Sequence, residues 1–146
     1  GTYAYETPFL FKPIVLRFFP KIRTIHSPDV KVHFRISNDY ADRERVQLYT
    51  WANAGIPTVR IIADGDAWYA RERIVGPSKA HLRAGSFYGL SRAAVDEANA
   101  SWSRIPDTLV KSGFMSHEQA HLFAEHNTAY NVTNGTWTVL RPARIM

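Results

Sequence analysis

The sequence predicts an α+β fold: a small mixed sheet with helices packed on it, then a C-terminal helix followed by a β-hairpin. Three stretches carry the prediction. VKVHFRI at 30–36 alternates Val30, Val32, Phe34 and Ile36 with Lys31, His33 and Arg35, the period of a strand with one apolar face. SHEQAHLFAEHN at 116–127 opens with Ser116 and Gln119, the spacing of a capping box, and continues with Ala120, Phe123 and Ala124 on one helical stripe. AYNVTNGTWTVL places Asn134-Gly135 between two alternating runs, a strong short-range hairpin signal.

In chain order, residues 8–26 carry Phe11, Val15, Phe18, Phe19, Ile22 and Ile25 at helical spacing, interrupted by Pro13 and Pro20. They fit a helix of two turns or a strand over 14–19. After the strand and the polar connection SNDYADRE, RVQLYTW and PTVRIIA flank ANAGI. Gly55 suits the positive φ of a turn, so a hairpin is expected, with a helix over 39–53 as the competing reading. Residues 64–89 are punctuated by Gly65, Gly76, Pro77, Gly85 and Gly89 and read as an irregular middle, where Asp64-Gly65-Asp66 is a tight turn. Ser91 caps a helix through LSRAAVDEANASW, and IPDTLVKSG reads as a connection or short strand. At the final hairpin a two-residue turn pairs Val132 with Trp137 and Tyr130 with Val139. The 146 residues are expected to form one domain, with a core-like part at 8–63 and a helix–hairpin part at 90–146.

Composition narrows the chemistry. With no cysteine, disulfides, Cys-ligated zinc and iron–sulfur centres are excluded. No apolar run reaches the roughly 18–20 residues of a membrane helix, so no transmembrane segment is expected. The chain opens with Gly1, which reads as a processed or a trimmed form, with any targeting segment already gone. The net charge of +5 is uneven: residues 1–35 hold six basic against two acidic side chains, and residues 36–75 hold five against six. Lys12, Arg17, Lys21 and Arg23 near the start, with Arg141 and Arg144 at the end, are the candidate partner-binding residues. They suit an acidic protein surface or RNA phosphates. Only 5 of the 18 basic residues are lysine and none adjoin, which favours a solvated basic face over a dedicated nucleic-acid site.

HEQAH is the single catalytic-looking motif. Histidines four apart on a helix share one face and can hold a zinc ion, with the intervening glutamate as general base. On that reading His117 and His121 are metal ligands and Glu118 is catalytic. Zinc in hydrolases takes a third protein ligand, and Glu125 lies eight residues, about 12 Å of helix rise, beyond His117. His126 points elsewhere on the wheel, and no His, Asp, Glu or Cys follows Asn127. The favoured reading is therefore a packing helix without catalysis, metal or cofactor, and a small HExxH zinc hydrolase stands as an alternative.

FFPKIRTIHSPDVKVHFRISNDYADRERVQLYTWANAGIPTVRII, about residues 14–63, resembles the small thioredoxin-like family of mitochondria. That family includes mitochondrial ribosomal proteins and an accessory subunit of respiratory complex I. The resemblance lies in a corner at Ser27-Pro28-Asp29, the strand VKVHFRI and a hairpin turning at ANAG. It implies a thioredoxin-like N-terminal part and a non-catalytic accessory subunit of a mitochondrial assembly, most simply the respiratory chain, bound to neighbouring subunits. A mitochondrial ribosomal protein touching rRNA is the alternative it implies.

Overall fold

The computed structural model describes residues 24–26 and 30–143. The helix or strand expected over 8–26 lies outside them, except that Thr24–His26 forms strand β1. The corner at Ser27-Pro28-Asp29 also lies outside. The fold is α+β, with elements β1, β2 (Val30–Phe34), α1 (Asn38–Asn53), β3 (Ile61–Gly65), β4 (Trp68–Glu72), α2 (Lys79–Arg83), α3 (Arg92–Ser101), α4 (Arg104–Lys111), α5 (His117–Asn127), β5 (Thr128–Asn131) and β6 (Thr136–Val139). The described residues fall into two compact units, one built from those up to 47 with 59–73, the other from 48–58 with 74–143.

The first unit holds a four-stranded sheet in the order β1-β2-β4-β3, antiparallel at every pairing. Val32 faces Ala70 and Phe34 faces Trp68 across β2 and β4. One sheet face is thus apolar, with Val30, Val32, Phe34, Trp68 and Ala70 packed together and Ile62 and Ala63 against them. The expected alternation fails on the other face, because His33 is buried as well. Ile36, expected in the apolar row, is instead exposed beyond the end of β2.

The hairpin expected around ANAG is absent, and the competing helix is what forms. Ser37 Oγ accepts from Tyr40 N at 3.2 Å, the geometry of an N-cap. Buried Ala41, Glu44, Leu48 and Trp51 then recur at helical spacing. Val46 and Tyr49, which made the stretch look like a strand, are 61% and 49% exposed. Gly55 does take a positive φ, +88°, but as the residue that closes the helix. Ile56 N donates to Trp51 O and Gly55 N to Ala52 O, each at 3.0 Å, a Schellman pattern. The middle at 64–89 is also more regular than expected. It contributes most of the β3–β4 hairpin, turning at Asp66-Ala67, and the short α2 with its own capping box at Ser78 and His81.

The second unit gathers α2–α5 and the β5–β6 hairpin. Stretch 105–113, expected as connection or short strand, lies mostly in helix α4, with Ile105, Pro106 and Leu109 buried. Proline is tolerated there because the first helical turn does not need its missing N–H. Ser91 caps α3, and the capping box of α5 is present with both its hydrogen bonds. Trp51 meets the Phe123 ring edge-on at 5.3 Å, and Trp137 Nε1 donates to Ala98 O at 2.7 Å. The hairpin is flanked on both edges: Tyr130 N donates to Pro77 O, and Val139 N to Pro57 O. Thr58 and Val139 form a single parallel bridge. At Gly76 the chain passes so close to β5 that a Cβ would stand 1.6 Å from Tyr130 O, which explains glycine at that position.

The β5–β6 hairpin has the expected faces and a shifted register. Tyr130 pairs with Trp137 and Thr128 with Val139, leaving a four-residue loop over 132–135. The cause is local. Asn131 Oδ1 accepts from Thr133 N at 2.9 Å, Gly135 N donates to Asn131 O at 2.8 Å, and Asn134 Oδ1 accepts from Thr136 N at 3.1 Å. Two Asx turns thus hold the longer loop. A slip of two residues keeps every side chain on its face, so the apolar pattern tolerates it.

Candidate functional site

Helix α5 places His117 at its first position and His121 one turn later, on the flank of the stripe formed by buried Ala120, Phe123 and Ala124. Ser116 Oγ accepts from Gln119 N at 3.3 Å, and Gln119 Oε1 accepts from Ser116 N at 3.2 Å, so the first turn is held from both sides. His121 Nδ1 lies 2.9 Å from His117 O. A carbonyl only accepts, so Nδ1 carries the proton and a neutral His121 presents its lone pair at Nε2. The two rings stand 4.1 Å apart between centroids, tilted by 36°.

Neighbouring helices complete the setting. His121 meets the Trp102 ring edge-on at 5.9 Å, and the Lys79 ammonium sits 5.4 Å over that indole while donating to Asn99 Oδ1 at 2.9 Å. Burial and then the nearby Arg83 guanidinium hold the Lys79 pKa below the ordinary lysine value. Glu125, the nearest candidate for a third ligand, is in an ion pair with Arg83. Glu118 is exposed, and the His126 carbonyl accepts from Arg141 Nη2 at 3.4 Å. Among the described residues no group of three or more His, Asp or Glu side chains is placed to share a metal ion. The pair is therefore brought together, and a zinc hydrolase's third protein ligand is not.

The basic partner-binding candidates are mostly beyond reach: Lys12, Arg17, Lys21, Arg23 and Arg144 lie outside the described residues. Arg141 is described, exposed, and tied to α5 through the His126 carbonyl. The second unit also has a cleft of about 480 Å³ lined by Ile56, Ser101, Arg104, Ile105, Asp107 and Trp137 among others.

A second polar cluster, in the first unit, was not legible from the sequence. Arg35 Nε donates to both Glu44 oxygens, at 2.5 and 2.8 Å. Tyr69 Oη donates to Glu44 Oε2 at 3.2 Å, and its ring stacks on His33 at 5.0 Å. Arg71 Nε donates to His33 Nε2 at 3.1 Å, while Arg35 Nη2 lies 3.2 Å from His33 Nδ1. A neutral imidazole has one acceptor nitrogen, so His33 receives just one guanidinium at a time. Burial opposes the Arg35 charge, but the Glu44 hydrogen bond and charge outweigh it, and the Arg35 pKa is raised. Burial first, then the Glu44 carboxylate, pushes the Tyr69 phenol up. With its partners close and its members mostly buried, this cluster fastens α1 to the sheet rather than waiting for a ligand.

No family model matches the chain, and no curated protein and no solved structure matches it.

Proposed function

We propose that the chain is a non-catalytic accessory subunit of a larger protein assembly, held there by its apolar and basic surface. The observation that carries this reading is the apolar surface left open at large side chains in each unit. Ile36, two residues beyond the buried Phe34, is 84% exposed in the first unit, and Leu122 on α5 is 62% exposed in the second. Phe87, Tyr88 and Phe114 are exposed too. Aromatic and aliphatic groups of this kind form the desolvated centre of an interface when a partner covers them. No helix among the described residues is long and apolar enough to cross a membrane.

A mitochondrial assembly, most simply the respiratory chain, is proposed on the resemblance alone. Its strand falls at β2, its corner lies outside the described residues, and helix α1 replaces its hairpin. A mitochondrial ribosomal protein touching rRNA remains the second form of the same proposal. Sedimentation of a native extract tests the reading: the chain should travel in a particle many times its own 16.6 kDa. Recovery as a stable free monomer would overturn it. The particle's protein and RNA content separates a respiratory assembly from a ribosomal one.

A further inference from the structure

We infer that His117 and His121 form a two-point chelate for a divalent transition cation of tetragonal preference, Cu²⁺ above Ni²⁺ and above tetrahedral Zn²⁺. This is a binding site without hydrolytic chemistry, independent of the assembly reading. Three observations carry it. The histidines are one turn apart on a helix end fixed by a capping box. His121 Nδ1 is committed to the His117 carbonyl, which orients the ring and leaves Nε2 as the donor atom. The third is the spacing of the rings.

With metal–nitrogen bonds of about 2.0–2.1 Å, a right-angled chelate puts two imidazole centroids about 4.5 Å apart, and a tetrahedral one about 5.2 Å. The rings stand at 4.1 Å, so small side-chain rotations reach the right-angled arrangement, whereas the tetrahedral one requires the rings to spread further. Water fills the remaining positions, since Glu125 is engaged by Arg83. The intrinsic order of divalent affinities, Ni²⁺ below Cu²⁺ and Cu²⁺ above Zn²⁺, runs the same way.

Trp102, with its ring 5.9 Å from His121, is a built-in reporter, because bound Cu²⁺ quenches a nearby indole. Titration of the full chain with Cu²⁺ should quench part of the tryptophan emission at one equivalent, and Trp102→Phe should remove that part. His117→Ala and His121→Ala should each raise the dissociation constant at least about tenfold, with His126→Ala unchanged. Zn²⁺ should bind the wild type at least about tenfold more weakly than Cu²⁺. Far-UV circular dichroism checks each variant, and His117→Gln or His121→Gln gives the same reading should an alanine variant fail to fold. An unchanged midpoint in a folded His117 or His121 variant, or Zn²⁺ binding as tight as Cu²⁺, overturns the inference.

Discussion

Two polar clusters, each built around histidine, behave in opposite ways. In the first unit His33 is buried between β2 and β4 neighbours, with Arg35, Tyr69 and Arg71 within hydrogen-bonding or stacking reach and Glu44 joined to it through Arg35 and Tyr69. In the second unit His117 is exposed and His121 half-buried, with one ring nitrogen of His121 committed to the helix and the other left open. The same residue type is a fastening in one place and a docking point in the other. What separates them is whether the protein itself satisfies the polar atoms. A buried cluster must do so, because each unmet group there costs about 1–3 kcal/mol, whereas an exposed one can leave the task to water or a ligand.

That difference breaks most visibly at Glu44. Glu44→Ala should cost about 3 kcal/mol in urea unfolding, the low end for opening a buried ion pair, since Arg35 keeps some contact with solvent. A loss below about 1 kcal/mol would mean that the cluster is already hydrated. Tyr69→Phe comes next, at about 1.5 kcal/mol near neutrality for the lost hydrogen bond to a carboxylate. It also has a pH signature. The folded Tyr69 pKa is raised above its ordinary value of 10.0, so the folded state keeps a proton that the unfolded chain gives up. The associated stability is full below about pH 10 and is lost as pH rises beyond it. The phenylalanine variant should therefore show a shallower alkaline decline in melting temperature, and an unchanged decline would assign the loss to other groups. The smallest effect belongs to the histidine pair of α5. His117→Ala and His121→Ala should each shift stability by no more than about 0.5 kcal/mol without metal, as for surface changes that break no buried contact. A larger shift would make the pair part of the packing.

The contrast also explains which parts of the molecule the sequence made legible. Helix α5 and the faces of the last hairpin could be read because local chemistry and burial agree there. Ser116 and Gln119 cap, Ala120, Phe123 and Ala124 pack, and Asn134-Gly135 turns. Helix α1 stood second to a hairpin because the alternation in RVQLYTW imitated a strand, although Val46 and Tyr49 prove exposed and the buried row is Ala41, Glu44, Leu48 and Trp51. The glycine at 55 announced its positive φ, but a helix end and a hairpin turn use that conformation equally well. The buried face of β2 was missed for a related reason. Lys31, His33 and Arg35 spell a solvent face until Glu44 arrives from the next helix and Tyr69 from a strand far along the chain. At the candidate site, the histidine spacing was readable, and so were the positions of Glu125, too far along the helix, and of His126, away from the face of the pair. The partners of Glu125 and of the His121 ring were not, since Arg83 and Trp102 come from other helices.

The central claim is that this chain works by being bound to other proteins, and cross-linking within the native particle tests it most directly. Amine-reactive cross-linking followed by mass spectrometry should join Lys12, Lys21 or Lys111 to lysines of other polypeptides at high yield. Links confined to this chain's own lysines, in a particle shown to be intact, would contradict the account.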